Sequence, residues 1–463
     1  MNKTAKPKSY FLPSLLIRIF ALSAASAVFI YYAVSNFGKY RWYSFIPPFF
    51  AIFGFAAVII AAAPRFAALF AGDNDFSPIA IDKPKHLYVS FAKVCAAALV
   101  LHVITFVIGV LIFTFVKEGR LLPVPTSYWR QAWMKSNTDA GHYINIAENW
   151  YQATGKDDVL LVFFPMLPIL IRVFNFIFRD SFISALFINS TAVTLSSGMI
   201  FLTLLPIMGT KRSKRAAILA LLLPGAIFLN SPMTEPLFIL FSVCGFYFLG
   251  KKNYLLAGLF TALAGFTRSL GVLLAVPIAL IGINQLIAFF RKKDKFPWLV
   301  IPGLIISVLG TLGYLYINYR IHGDPLKFFE FQKSNWHQEA CPFYDTTRYM
   351  FRYFVSYYKT DKAGFVSLWL PQVIAVFGSL AFMAPKARKL PASYTAYFLC
   401  YFAVSVGCTW LLSSVRYLSA AFPIIAALGI ACSNRLKTAL LTLLLAAVYI
   451  IYTIMYMQRI GIY

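Results

Sequence analysis

Long runs of apolar residues, repeated from one end of the chain to the other, limit most strongly how this sequence can fold. Of its 463 residues, 60% are hydrophobic and 13% are charged, whereas soluble proteins average about 25% charged residues. Several runs reach the roughly 20 residues that an α-helix needs to cross a bilayer. They lack the alternation of apolar and polar residues that is typical of membrane β-strands. The sequence therefore predicts an all-α polytopic membrane protein.

The positions of these runs predict about thirteen transmembrane helices. Residues 164–178 are also apolar, but Pro165, Pro168 and Arg172 interrupt them. That pattern favours a helix lying flat at the membrane interface, so we do not count it as a span. The predicted spans are about 10–32, 46–64, 88–116, 181–208, 216–230, 237–250, 254–268, 270–290, 297–317, 365–385, 391–411, 418–433 and 438–457.

Short basic connections recur at every second loop and predict the orientation of the chain. Lysine and arginine accumulate in cytoplasmic loops, so these connections should face the cytoplasm. Two large loops, 117–160 and 318–364, then lie on the outer side, together with most of the 16 acidic residues. The basic connections are 211–215, 251–252, 291–295, 386–389 and 435–437.

The formal net charge of +26 is typical of nucleic-acid binding proteins, but the distribution of the charge excludes that class. The basic residues separate apolar spans and do not form one patch, which favours contacts with anionic membrane lipids and a phosphorylated substrate. The six cysteines show no disulfide framework. The sequence also lacks the motifs of zinc hydrolases, P-loop proteins and serine hydrolases.

Asp139 is the candidate catalytic residue in the first outer loop. A carboxylate packed against apolar helices can act as a general base toward a hydroxyl group. The alternative is that Asp139 only caps a helix beginning near Ala140. His142 and Tyr143 would lie in the first turn of that helix, and a single histidine in such a position is more often structural or simply polar than catalytic.

Three charged residues in the small outer turns form a second group of candidates. Glu235 lies between two short apolar runs, near the membrane surface. An acidic residue is unusual there unless it has a function. The alternative is that Glu235 only interacts favourably with the helix dipole, beside an N-cap at Thr234. Arg268 and Arg416 could bind a phosphate group through their planar guanidinium forks, or extend to the membrane interface as solvated charges.

The second outer loop combines aromatic and amide side chains, among them Gln332 and Trp336. Amides can hydrogen-bond the hydroxyls of a sugar, and rings can pack against its CH faces. An aromatic belt at the membrane interface has a similar composition. Both interpretations remain open at this point.

Together these stretches resemble the PIG-V type of mannosyltransferase, which belongs to the membrane-embedded C superfamily of glycosyltransferases. The resemblance covers about residues 130–430. Residues 1–80 lie outside it and are expected to form an N-terminal transmembrane hairpin extension of the domain 81–463. The matching pieces are Asp139-Ala140-Gly141-His142-Tyr143, Phe163-Phe164-Pro165, Thr234-Glu235-Pro236, Thr267-Arg268-Ser269, Gln332 with Trp336, and Ser414 with Arg416-Tyr417.

The resemblance implies an inverting glycosyltransferase with a polyprenyl-phosphate sugar donor and an extracytoplasmic active site. Asp139 would be the base, and Arg416, Arg268 and Tyr417 would hold the donor phosphate. His142, Tyr143, Glu235, Gln332 and Trp336 would bind substrate.

The expected reaction moves a hexose, with mannose favoured, to a glycan or glycolipid acceptor in a bacterial plasma membrane. The requirement for a divalent metal stays open. The alternative function is transport or flipping of a lipid-linked saccharide. Transport calls for charged residues along a path through the spans, and few are found there, chiefly Arg18, Lys93 and His102.

Overall fold

The structure is a computed structural model that describes residues 10–76, 84–134, 138–291 and 295–461. The predicted basic connection 291–295 lies mostly outside these residues. The α-helices are α1 Phe11–Ser35, α2 Ile46–Phe70, α3 Leu87–Glu118, α4 Tyr128–Gln131, α5 Ala140–Asn149, α6 Met166–Phe178, α7 Ser181–Leu219, α8 Glu235–Gly250, α9 Tyr254–Thr267, α10 Ala275–Phe290, α11 Val300–His322, α12 Lys327–Trp336, α13 Phe343–Thr360, α14 Lys362–Gly364, α15 Leu370–Ala387, α16 Ala392–Val406, α17 Ser414–Ser419, α18 Phe422–Ala431 and α19 Arg435–Met457.

Shorter helical turns complete the architecture of the described residues. An isolated antiparallel bridge between Ala340 and Cys408 is the β-structure found among them. The predicted all-α class is therefore confirmed. The 3₁₀ turns are Trp42–Phe45, Asp158–Val162, Ala220–Leu222, Pro224–Asn230 and Ser269–Leu274, and a π-helical turn spans Phe365–Trp369.

The long helices identify an integral membrane protein. Within the described residues, eight helices are long and apolar enough to cross a membrane, or nine if a bent pair counts as one span. The predicted count of about thirteen is not confirmed, because α9, α16 and α18 have only 10–17 residues. At about 1.5 Å per residue such helices fall short of the roughly 30 Å hydrocarbon layer.

The prediction of a separate span at 216–230 is wrong. Helix α7 continues through the basic residues to Leu219, with a kink at Gly209, whose φ is 77°. Two 3₁₀ turns then follow. Pro224 cannot donate a backbone hydrogen bond, and Gly225 packs so closely on Ser419 that a Cβ there would lie 2.8 Å from the Ser419 Cβ. The second turn meets α8 at an angle of 109°, and Glu235 is the first residue of α8, just after this bend.

Close packing of α9 on α11 positions the segment that carries Arg268. A Cβ at Gly310 would come within 1.7 Å of the Ala262 carbonyl oxygen, so only glycine permits this approach. Small residues let membrane helices pack backbone to backbone in this way. Helix α9 then ends at Thr267, and the chain turns sharply at Arg268.

The two large predicted loops contact each other. Helix α12, in the second loop, packs on the turn Asp158–Val162 at the end of the first loop. Tyr314 Oη, in α11 just before the second loop, donates to the Leu161 carbonyl of the same turn over 2.7 Å. These contacts put the two loops on one side of the protein. The cytoplasmic or outer location of that side stays a prediction.

The N-terminal helices α1 and α2 pack against each other, and α2 also contacts α13, α15 and α16. Asp75, in the segment after α2, accepts hydrogen bonds from the backbone N–H groups of Ala392 and Ser393 at 2.6 and 3.0 Å. This carboxylate thereby binds the N-terminus of α16. That residues 1–80 are an added unit stays a prediction.

Candidate active site

Four charged residues from distant parts of the chain meet at one site. Asp139 immediately precedes α5, Glu235 begins α8, Arg268 follows α9, and Arg416 lies in α17. Glu235 pairs with both arginines, and Arg416 also pairs with Asp139. The structure thus joins the candidate base to the candidate phosphate-binding residues in one ion-paired cluster.

Glu235 lies behind the two arginines and is only 2% exposed. Its Oε1 accepts hydrogen bonds from both Arg268 and Arg416, whereas Oε2 is buried without a hydrogen-bond partner in the described residues. A buried carboxylate is stable only when opposite charges compensate its lost hydration. Glu235 and the two arginines therefore compensate one another's charges. The predicted N-cap bond from Thr234 is not formed.

Asp139 lies in front of the cluster. It precedes α5, but its side chain makes no capping hydrogen bond, so the capping alternative is wrong. Its Oδ2 accepts a hydrogen bond of 2.6 Å from Arg416 Nη1, and its side chain is 31% exposed. The carboxylate is thus held at a fixed position while remaining accessible.

Arg416 is buried, with an exposed fraction of 5%. Burial disfavours its charge, but the carboxylates of Glu235 and Asp139 outweigh this effect and hold the Arg416 pKa well above its usual value. The guanidinium of Arg268 lies 5.1 Å from the ring centroid of Tyr417, a favourable cation–π distance. Both arginines are largely buried and ion-paired with Glu235, so the alternative that they are solvated charges is wrong for both.

The cluster opens into a polar cavity of about 380 Å³. The cavity lies between the two large loops and the start of α17. Every predicted site residue lines it except Glu235, which lies behind it. The residues lining the cavity are Thr138, Asp139, His142, Tyr143, Val162, Phe163, Phe164, Thr267, Arg268, Ser269, Gln332, Trp336, Gln338, Leu412, Ser413, Arg416 and Tyr417.

Phe163 is the centre of an aromatic wall in this cavity. His142 stacks on it at 4.9 Å, while Tyr143 and Trp336 approach it edge-on at 5.3 and 5.8 Å between ring centroids. From the sequence, Phe163 is named only as part of the family resemblance, and neither Phe163 nor Gln338 is placed among the site residues. Phe163 follows a hydrophobic turn directly, and the sequence carries no local sign that the ring faces a cavity.

Hydrogen bonds fix the segment that carries Glu235. The side-chain amide of Asn189 donates to the carbonyl oxygens of Ser231 and Met233 at 2.6 and 3.3 Å. The Ser231 hydroxyl donates to the Trp133 carbonyl over 2.6 Å. Arg268 Nη1 also donates to the Thr234 hydroxyl over 3.2 Å. This network holds a non-helical segment rigidly inside the protein.

A metal site was not predicted, and the described residues contain no group of three or more histidine, cysteine, aspartate or glutamate side chains that could hold a metal ion. Asp139 and His142 line the cavity without a third such residue.

Fold and site together define an all-helical integral membrane protein with an ion-paired, aromatic-walled cavity. Residues 122–309 match the family described as Mannosyltransferase (PIG-V). This match confirms the resemblance to that family and supports glycosyltransferase activity. Asp139, Glu235 and Arg268 lie inside the matched residues, whereas Gln332, Trp336 and Arg416 lie beyond them.

Two solved structures of the archaeal oligosaccharyltransferase of Archaeoglobus fulgidus are similar to this chain. One carries a tethered acceptor peptide, with 13% identity and a TM-score of 0.37. The other contains an inhibitory peptide and a dolichol-phosphate, with 12% identity and a TM-score of 0.33. Each similarity covers 77% of this chain and 55% of the other, and both are too weak to support an argument about function. No match was found among curated proteins.

Proposed function

We propose that this protein is an inverting glycosyltransferase that transfers a hexose from a polyprenyl-phosphate donor to an extracytoplasmic glycan or glycolipid acceptor. The family favours mannose as the hexose. The observation that carries the proposal is the contact of Asp139 with Arg416 in a cavity that also contains an aromatic wall. This arrangement combines a carboxylate for proton transfer with a cation for the departing phosphate.

In the proposed reaction, Asp139 accepts the proton of the acceptor hydroxyl. The hydroxyl oxygen attacks the anomeric carbon from the face opposite the phosphate, and the bond between that carbon and the phosphate oxygen breaks. The bonding electrons leave with the polyprenyl phosphate. A positioned general base contributes about 10²–10⁴-fold to such a rate, and the partial exposure of Asp139 leaves room for the hydroxyl.

Arg416 and Arg268 would bind the donor phosphate. Charge grows on the phosphate as the sugar leaves, and guanidinium groups held at fixed positions stabilise that charge without reorganising. Glu235 holds both guanidinium groups from behind. Tyr417 packs on Arg268 and lines the cavity beside it. We therefore assign Glu235 a positioning role and the other three residues a direct one.

The aromatic wall would bind the sugar. Trp336 and His142 both contact Phe163 and line the cavity with it, and Gln332 and Gln338 add amides to the same cavity. Tyr143 is nearly buried, and its hydroxyl lies 3.5 Å from that of Thr234. It would shape the floor of the cavity next to the arginines.

The proposed location is a bacterial plasma membrane, with the cavity facing away from the cytoplasm. The alternation of basic connections supports this orientation, because the two large loops that line the cavity are predicted to be outside. We also propose a C-type glycosyltransferase fold with an N-terminal hairpin extension.

A transfer assay tests this function. Membranes containing the protein are incubated with radiolabelled polyprenyl-phosphate mannose or glucose, and the labelled product is identified. We expect transfer that is lost in Asp139→Asn and retained in Glu148→Gln, a matched change at an exposed residue of α5. Equal transfer by membranes with and without the protein would refute the proposal.

A further inference from the structure

An apolar groove lies between α1, α2 and the start of α13. Its volume is about 540 Å³, and Phe20, Ala24, Ile52, Phe55 and Tyr344 are among its lining residues. None of its lining residues lines the candidate active-site cavity. Along α1 the groove extends from Leu16 to Val28, roughly 18 Å at ~1.5 Å per residue.

We call four basic residues the basic rim: Lys39 and Arg41 in the α1–α2 connection, and Arg348 and Arg352 on α13, about one and two helical turns beyond the groove-lining Tyr344. The guanidinium of Arg348 lies 3.9 Å from the ring centroid of Tyr40, which stands between Lys39 and Arg41 in the α1–α2 connection. Tyr344, at the end of the groove, precedes the rim on α13. The rim is therefore assembled from the hairpin and α13 together.

The rim retains positive charge after its internal pairing. Asp345 pairs with Arg348 at 3.2 Å. Arg352 is exposed and forms no ion pair in the described part of the chain. Arg348 and Arg352 both line a small cavity of about 230 Å³, together with Asp345, Tyr349 and Trp410. Two guanidinium groups at the edge of an open cavity form a suitable site for a phosphate group.

We propose that the groove and the basic rim bind an anionic membrane phospholipid. One acyl chain lies between α1 and α2, and the phosphate contacts Arg348 and Arg352. The apolar lining excludes a sugar from the groove, and the charge of the rim selects an anionic headgroup. Exposed Trp42 and Tyr43, next to Arg41, are typical of the headgroup level of a membrane. The hairpin is then one wall of a lipid site.

Lipid titration of the purified, full-length protein in detergent tests the headgroup preference. The ligands are phosphatidylglycerol, phosphatidylcholine, polyprenyl phosphate and inorganic phosphate, and bound lipid is counted by native mass spectrometry. We expect phosphatidylglycerol to bind most tightly. Arg352→Ala should weaken it about fivefold, since a basic residue near the surface contributes about that factor, whereas Arg120→Ala at another exposed site should not.

A second set of variants tests the acyl-chain site. Ala24→Trp should fill the groove and weaken the binding of both phosphatidylglycerol and phosphatidylcholine. Ala27→Trp, on the exposed face of α1, should leave the binding of both unchanged. Val28→Trp also fills the groove and replaces Ala24→Trp if that variant does not fold. Equal binding of phosphatidylcholine, tighter binding of polyprenyl phosphate, or equal competition by inorganic phosphate would each overturn the proposal.

Discussion

Arg416 donates a hydrogen bond of 2.6 Å to Asp139, although 277 positions separate the two residues in the sequence. The Nε atom of the same guanidinium donates a hydrogen bond to Glu235 Oε1. One arginine therefore connects an accessible carboxylate in front of it to a buried carboxylate behind it. The two carboxylates differ in exposure, 31% and 2% of the side chain, and this difference assigns them different roles.

The first prediction concerns Asp139. Asp139→Asn preserves the shape of the side chain but removes the proton acceptor, so transfer should fall by about 10²–10⁴-fold. Stability should change little, because the side chain caps no helix and a partly exposed ion pair contributes at most about 1 kcal/mol. The measurements are sugar transfer and thermal unfolding of the purified variant. Near-normal transfer would show that Asp139 is structural.

The second prediction concerns Arg416. Arg416→Lys should retain part of the activity and raise the KM for the donor, because lysine keeps the charge but loses the bidentate fork. Arg416→Ala should also destabilise the protein by about 3–5 kcal/mol, because it breaks a buried ion pair. Kinetics against donor concentration, together with thermal unfolding, separate the two effects. An unchanged donor KM in the folded Arg416→Lys variant would show that Arg416 does not bind the donor phosphate.

The third prediction concerns Glu235 as a positioning residue. Glu235→Gln keeps the size of the side chain but leaves two adjacent guanidinium groups without their shared counter-charge. We expect a higher donor KM together with a lower unfolding temperature. Glu148→Gln serves as the matched control. If Glu235 had only a structural role, Glu235→Gln would lower the unfolding temperature and leave the donor KM of the folded protein unchanged.

The fourth prediction concerns membrane orientation. Cysteines replace Lys156, in the first large loop, and Lys252, in the basic turn after α8; both lysines are exposed. In intact cells an impermeant thiol reagent should label the Lys156→Cys protein, and it should label Lys252→Cys only after permeabilisation. The protein with its native cysteines provides the background. The reverse labelling pattern would show that the cavity faces the cytoplasm.

The sequence indicates several of the residues that line the cavity, but not how they pair with one another. The sequence indicates Asp139 as a potential general base in an outer loop and Arg268 and Arg416 as potential phosphate-binding groups. The structure gathers all three at one cavity. The pairing of Glu235 with both arginines was not predicted, because the partners are 33 and 181 positions away. The 3₁₀ turns at 220–230 were missed because their hydropathy matches that of a membrane span.

The sequence by itself determined the helical class and the membrane environment, because hydropathy acts over about 20 consecutive residues and is local information. It also determined which polar residues were available for chemistry. Only the tertiary structure decided that Glu235 lies behind the arginines, that Phe163 faces a cavity and that the hairpin meets α13. Those relationships depend on how distant helices pack, and close contacts such as Gly310 with Ala262 fix that packing.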